Sequence, residues 1–334
     1  MAYKPNMEDI KKLRTMTGAV LADVKNALTE SEGDFDKAKD LLRERGLAIA
    51  AKRSDRETSN GCVLVKQVDG FAAMVAVKCE TDFVANGADF IAMTESILDA
   101  AIAAKAKTLE EVNNLTLASG GVASEVVTQR SGITGEKMEI DGYNFLEGDN
   151  IAIYDHMHRH TLATMVQLNK DNADAAYKVA MQVAAMKPIA LDESSVSQEV
   201  KDEEYKVAVE KTKEEQVEKA VIAAINKAGI NANLVDSEDH IESNISKGWL
   251  TEEQAATARE IRAKVAAEKA ANLNMQMIEN IAKGRLAKFF KENCLVDQEF
   301  QFGDGDKMNV AEWLKKQDKD LQITAYKRFT LAGV

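Results

Sequence analysis

Proline is almost absent from this 334-residue sequence, which holds only Pro5 and Pro188. An internal proline removes a helix donor and clashes with the preceding turn. Its scarcity, with plentiful Ala, Lys and Glu, argues for a helix-rich chain with few rigid loops. Cysteine is nearly as scarce. Cys62, Cys79 and Cys294 are far apart, odd in number and form no C-x-x-C pair. That argues against a disulfide framework or a zinc site and reads as reduced thiols buried in a reducing cytosol. No apolar run reaches the roughly 20 residues that cross a bilayer, and the opening Met-Ala-Tyr-Lys-Pro has no apolar signal core. A cytoplasmic protein that does not engage membranes is expected. Positive charge is short too: 43 Lys and Arg stand against 55 Asp and Glu, a net −12. Phosphate backbones are gripped by clustered Lys and Arg, so direct nucleic-acid binding is not expected. What remains is an ordinary globular composition, 45% hydrophobic and 29% charged, long enough for two or three domains.

Residues 1–53 read as three short helices. Asn6 caps the first, with Ile10 and Leu13 inward, and Thr17-Gly18 stops it. The second runs over about 19–29, with Val20, Val24, Ala27 and Leu28 at helical spacing. Gly33-Asp34 caps the third, which carries Ala38, Leu41 and Leu42 inward and ends at Gly46. Polar residues 52–61 read as a linker. A hairpin follows, its strands 63–68 and 71–79 flanking Asp69-Gly70. Phe71, Ala73, Val75, Val77 and Cys79 share one strand face. Further helices are expected over 88–106 and from a capping box at Thr108–Glu111, with turns at Gly120-Gly121 and 131–135.

A second β-rich stretch covers 137–168, broken at Gly148-Asp149-Asn150, and a helix over 172–187 follows. The two regions look like weak internal copies: hairpin, polar turn, helix. In the second, Asn169-Lys170-Asp171 passes quickly from strand to helix. In the first, Cys79 is followed by the extra segment Glu80-Thr81-Asp82-Phe83-Val84-Ala85. An aromatic beside an acid on such a connection either tucks into the core or projects as an anchor for a partner. From the pattern alone both readings of Phe83 stand.

From Ser195 on the chain is mostly helical. Helices are expected over 196–212 and 215–228, a break over 229–237, and one long helix from the Thr251–Gln254 capping box to about 290. The end returns to β structure over 298–302, a turn at 303–306, a helix over 310–316 and a last strand over 321–331.

Catalytic constellations are few. Gly132-Ile-Thr-Gly-Glu-Lys137 lacks the spacing and the terminal Ser or Thr of a phosphate loop. Gly303-Asp-Gly-Asp306 lacks the ligand spacing of an EF-hand. His156, His158 and His160 would share a strand face. One short strand cannot wrap three imidazoles round one ion without a bend, however, and Arg159 adds positive charge, so a solvated hairpin end or a partner contact is favoured over zinc. No catalytic residue, cofactor or metal is expected.

Several blocks resemble the elongation factor Ts family. They are Lys12-Leu-Arg-Thr-Met-Thr-Gly-Ala19 with Asp23-Val-Lys25 and Ala27-Leu28, then Gly33-Asp34, Ala38, Leu42-Arg43 and Gly46. Cys79-Glu-Thr-Asp-Phe-Val-Ala85 with Phe90 is the most specific. Met181-Gln-Val-Ala-Ala-Met-Lys-Pro188 and Gly284-Arg-Leu-Ala-Lys-Phe289 complete the family's order over nearly the whole chain. The resemblance implies an α+β fold: a ubiquitin-associated-like three-helix domain over 1–53, then a core of two related subdomains with antiparallel sheets. The subdomains would cover 54–136, and 137–213 with 283–334. A helical insertion over 214–282, longer than in the familiar bacterial form, could pair with a second copy as a homodimer or merely enlarge its subdomain.

The resemblance further implies a guanine-nucleotide exchange factor without covalent catalysis. Its partner would be elongation factor Tu, GDP-bound or nucleotide-free. Thr81, Asp82, Phe83 and Val84 would meet the partner's nucleotide domain, with Phe83 wedged between helices and Asp82 hydrogen-bonded beside it. Together they would displace the switch that holds Mg²⁺. Arg14, Val20 and Leu21 match further contact positions, with Ala22 in place of a larger apolar residue. His156 keeps a His-x-x-Arg pattern with Arg159 that would face another domain of the partner. A C-terminal helical module found in some members is not expected after Val334. The competing classes are an RNA- or ribosome-binding adaptor using the N-terminal bundle, which the acidity disfavours, and a metal enzyme at the three histidines.

Overall fold

The computed structural model describes residues 3–17, 19–303, 305 and 307–331. They form two compact units, one up to Leu191 and again from Glu299, the other Asp192–Gln298. The chain opens with α1 (Met7–Thr17), α2 (Leu21–Glu30) and α3 (Phe35–Ala51). Asn6 caps α1 as expected, its Oδ1 accepting from the Asp9 N–H at 2.7 Å. Ile10, Leu13, Val24, Ala27, Leu28 and Ala38 close the small core. Val20 stays outside it. It precedes the first turn of α2 in an extended conformation (φ −66°, ψ 149°), so its side chain leaves the helical stripe. Gly18, the expected stop of α1, lies outside the described residues.

Next come β1 (Asn60–Val68), β2 (Phe71–Cys79), the single turn α4 (Asp82–Ala85), α5 (Ala88–Ala104), α6 (Leu109–Asn113), α7 (Ala123–Thr134) and β3 (Met138–Glu147). Val68 faces Phe71 across the Asp69-Gly70 turn. β3 pairs antiparallel with β2, giving the order β1-β2-β3. β3 falls in the 137–213 stretch of sequence yet hydrogen-bonds to a strand of the 54–136 stretch. The turn expected at 131–135 is the last turn of α7 with its left-handed cap Gly135 (φ 78°). Thr108 caps α6, but the Glu111 carboxylate accepts from the Lys107 N–H at 2.6 Å, one residue away from the expected box.

α3 does not end at Gly46. That glycine is buried where α3 crosses α7, and a Cβ on Gly132 would lie 2.2 Å from the Gly46 Cα. Here glycine permits close backbone approach and does not stop the helix. An ion pair between Arg43 and Glu125 (2.7 Å) flanks the crossing. The polar segment after α3 is pinned as well: Arg56 pairs with Glu80 (3.0 Å) and the Thr58 hydroxyl donates to Glu139 (2.6 Å).

The second half of the first unit begins with β4 (Ile151–Asp155), β5 (Leu162–Leu168) and α8 (Ala173–Met186). The chain then enters the second unit, with α9 (Gln198–Lys227), α10 (Glu238–Ser246), α11 (Glu252–Ala271) and α12 (Met275–Asn293). Two expectations reverse here. α9 is continuous through Lys213-Glu214: both are good helix formers, and the buried Thr212, which could have capped a new helix, instead donates its hydroxyl back to the Ala208 carbonyl at 2.6 Å. The single long helix is instead broken after α11. Asn272 ends it, and the Asn274 side chain accepts from the Met277 N–H (3.1 Å) to start α12. α10 occupies a stretch where no helix was expected, capped by Ser237 onto the His240 N–H. The Thr251–Gln254 capping box forms as expected. Val221, Ile225, Ile241, Leu250 and Ala255 make this unit's core.

Back in the first unit, α13 (Val310–Gln317) and β6 (Ile323–Thr330) finish the chain. The strand expected at 298–302 is only an isolated bridge between Glu299 and Asn309. Asp304 and Asp306 of the expected turn lie outside the described residues. β6 pairs with β5, so the second sheet is β4-β5-β6. The first unit is layered. α5 packs on one face of the first sheet through Phe90, Ile97 and Ala101. The other face meets the second sheet through Ala72, Met74, Ile151 and Met165. α8 covers the far side, where the Thr164 hydroxyl donates to the Ala180 carbonyl (2.9 Å). The class is mixed α+β with two antiparallel sheets, as read from sequence. Among the described residues no helix is long and apolar enough to cross a membrane.

Gly132→Val would push Cβ into the α3 backbone. Overpacking of that kind costs about 1–3 kcal/mol. A lowered thermal midpoint and faster proteolysis at 52–57 are expected; an unchanged midpoint with unchanged cleavage would refute the glycine crossing.

Candidate functional site

The segment after β2 is the first copy's departure from the second, and it forms a braced projection. β2 ends at the buried Cys79, whose thiol donates to the Thr81 carbonyl at 3.2 Å. Burial pushes that thiol up to about 12, so it stays protonated and unreactive near neutral pH. Thr81 is extended (φ −120°, ψ 155°) and caps α4, its Oγ1 accepting from the Val84 N–H at 3.5 Å. A long-range carboxylate holds Thr81 in place. Glu136 accepts from the Thr81 N–H (3.0 Å) and from its hydroxyl (2.5 Å).

A second carboxylate does the same one residue earlier. Glu80 accepts from the Lys137 N–H at 2.6 Å and pairs with Arg56 at 3.0 Å. The Asn60 amide donates to the Glu80 carbonyl at 2.9 Å. The two acids thus tie the exit of β2 to the chain just before β3 from both sides, Glu136 reaching back to Thr81 and Glu80 reaching over to Lys137. The Lys137 N–H, then Arg56, hold the Glu80 carboxyl below its ordinary value. After the projection, Asn86 closes the turn, its N–H and side-chain amide both donating to the Asp82 carbonyl (2.9 and 2.8 Å).

The turn presents its side chains in two directions. Ala85 is buried and Val84 packs against the first sheet's core. Phe83 points out and is 87% exposed, the most exposed of the large hydrophobics among the described residues. Asp82 is exposed beside it and lines a cavity of roughly 340 Å³. Arg159, His160 and the Asn60-Gly61 start of β1 line the same cavity. The structure therefore brings Asp82 and the 156–160 segment to one place.

That segment is not a strand. His156–His158 is a single 3-10 turn, and Met157, His158 and His160 all have positive φ (56°, 53° and 55°). The three imidazoles do not share a face. His156 Nδ1 lies 3.1 Å from the Tyr154 hydroxyl, and His160 Nδ1 lies 2.7 Å from Asp155. Among the described residues no group of three or more His, Cys, Asp or Glu could hold a metal ion. Tyr154 meets Tyr177 edge-on at 5.5 Å, so His156 sits on a small aromatic cluster.

Arg14, Val20 and Leu21 lie on the N-terminal bundle, away from the lining of that cavity. Val20 and Leu21 are each 51% exposed where the chain enters α2, a small apolar patch at the α1–α2 connection. Sequence reasoning missed Glu136, whose partner is 55 positions away. It also missed Tyr154 beside His156 and Tyr177 behind Tyr154, which carry no local signal beyond being aromatic.

The depressed Glu80 carboxyl sets a pH dependence. A carboxylate whose folded pKa lies below its unfolded one stabilises above the unfolded value and loses that contribution as pH falls through the folded one. Wild type is expected to exceed Glu80→Gln in thermal midpoint at pH 7. The gap should shrink from the ordinary glutamate range downward. A gap that stays constant to pH 3 would contradict the brace.

The profile described as Elongation factor TS matches residues 80–238 and 222–333. The chain is 61% identical over 326 residues to Elongation factor Ts of Bacteroides fragilis, covering 97% of this chain and 98% of that protein. It is 59% identical over 325 residues to Elongation factor Ts of Phocaeicola vulgatus, with coverage of 97% and 98%. Against Elongation factor Ts of Porphyromonas gingivalis it is 38% identical over 326 residues, 97% of each chain. With its fold and its braced Thr81–Ala85 projection on view, these matches show that the chain belongs to the elongation factor Ts family of translation elongation factors.

Proposed function

We propose that this protein binds elongation factor Tu and promotes release of its GDP by displacing Mg²⁺, so that GTP can rebind. The single observation that carries the reading is Phe83: a large apolar side chain 87% exposed on a turn anchored at Thr81, Ala85 and Asn86. Phe83 is the wedge and Asp82 is the polar contact beside it. Withdrawing the switch that holds Mg²⁺ removes the main charge neutralising the diphosphate, and GDP leaves. No covalent step is involved.

The energetics follow from linkage. If this protein binds nucleotide-free partner more tightly than GDP-bound partner, GDP binds the complex more weakly by the same factor. Burying an exposed phenylalanine at a contact contributes about 2 kcal/mol or more. The exposed Val20–Leu21 patch and His156 with Arg159 supply further contacts, at the bundle and at the second sheet.

The test is release of fluorescent GDP from the cognate elongation factor Tu. Phe83→Ala should slow stimulated release by about 30-fold, from about 2 kcal/mol of lost contact, with an unchanged thermal midpoint. Glu136→Ala should slow it less, because the anchor remains and only its brace is lost. Full stimulation by Phe83→Ala would refute the wedge.

A further inference from the structure

The β4–β5 connection holds more histidine than the exchange reading uses, and its backbone suggests why. Met157, His158 and His160 all sit at positive φ (56°, 53° and 55°). In that region the Cβ of an L-residue crowds its own backbone, and non-glycine residues enter it only when their surroundings hold them there. Three such residues within four positions need support from outside the loop. That support converges on His160. Its N–H donates to Asp155 Oδ1 at 3.3 Å, and its Nδ1 lies 2.7 Å from Asp155 Oδ2. Its carbonyl accepts from the Val63 N–H of β1 at 2.7 Å. The Asp155 side chain is only 15% exposed, so little water competes for it. With a proton on Nδ1 the imidazole donates whether the ring is neutral or charged, so the contact does not depend on protonation at Nε2.

We propose that Asp155 and His160 form a latch that holds this loop in its strained shape and thereby presents His156 and Arg159 to the partner. The proposal rests on the exchange function above and assigns two positioning residues to it. Asp155 precedes the loop and His160 ends it, so their contact closes a ring round the four residues between. The closed ring sets Arg159 on the wall of the cavity that Asp82 also lines. The Val63 bond then fixes the ring to the first sheet, from which the Phe83 projection also springs. Opened, the loop would relax to ordinary angles and Arg159 would leave that register with Asp82. His158 is exposed and takes no part.

Two readouts test the latch. In wild type the His160 Nδ1 proton should give a slowly exchanging downfield resonance, lost in Asp155→Ala; absence of that signal from wild type overturns the latch. In titrations of stimulated GDP release, Asp155→Ala should raise the half-saturating concentration about tenfold, in the range of a lost charge-assisted hydrogen bond, with little change in the plateau rate. Asp155→Asn keeps an acceptor and should recover most of the loss. Adding Met157→Gly and His158→Gly to Asp155→Ala should not, since they relieve the strain without restoring the shape. A half-saturating concentration equal to wild type in Asp155→Ala overturns the positioning role. Failure of wild type itself to release GDP removes the functional reading, and the His160 proton then still decides the latch.

Discussion

Strand β2 is buried on both faces from Phe71 to Val77. Phe71, Ala73, Val75 and Val77 are buried against α5, while Ala72, Met74 and Ala76 are buried toward the second sheet. The chain therefore leaves a dry slot at Cys79 and must bring its polar backbone groups to the surface within a few residues. A buried polar group left without a partner costs about 1–3 kcal/mol. Glu80, Thr81, Glu136 and Asn60 meet that demand. The brace that makes the following turn a fixed projection is thus a consequence of where β2 ends.

The second copy shows what the same exit looks like without a projection. β5 leaves through Asn169-Lys170-Asp171 straight into α8. The Asn169 amide donates to the Asp320 carbonyl (2.8 Å), its Oδ1 accepts from the Gln322 N–H (2.9 Å), and Lys170 pairs with Asp318 (2.9 Å). In both copies the connection is held by residues that lead into the third strand: 318–322 before β6, and 136–137 before β3. The scaffold is shared. The difference is one helical turn inserted into a seam already closed on both sides, and that turn carries Phe83.

The parts of this arrangement that could be read from sequence were the local ones. The Asp69-Gly70 hairpin, the Asn6 cap, the Thr251–Gln254 box and the apolar face of β2 each depend on residues within a few positions. The duplicated pattern and the odd segment at 80–85 were legible for the same reason. What was misread turned on meanings that only packing resolves. Gly46 is either a stop or a close approach, and only Gly132 on α7 decides it. Val20 fits the helical period but stands one residue too early to share it. The three histidines alternate like a strand, but their backbone turns too sharply for one. Glu136 could not be found at all, since a glutamate at the end of a helix says nothing about a threonine 55 residues earlier.

Rigidity around Phe83 matters more to the proposed exchange than its apolar area does. An anchor on a floppy loop would lose part of its contact energy to ordering that loop on binding. Here the ordering is done in the fold: Thr81 is held from both its N–H and its hydroxyl, Ala85 is buried, and Asn86 closes the turn. Yet tight binding by itself would not release a nucleotide. A ligand that favours two states equally leaves their ratio unchanged. The anchor drives exchange only if the pocket that receives it is better formed when Mg²⁺ has gone. A rigid wedge enforces that difference, because it cannot adapt to the closed pocket. A flexible one could settle against either state and would lose discrimination as it gained contact. On the proposed exchange, Glu80 after β2 and Glu136 before β3 would therefore act on selectivity between partner states, through the rigidity they give the turn.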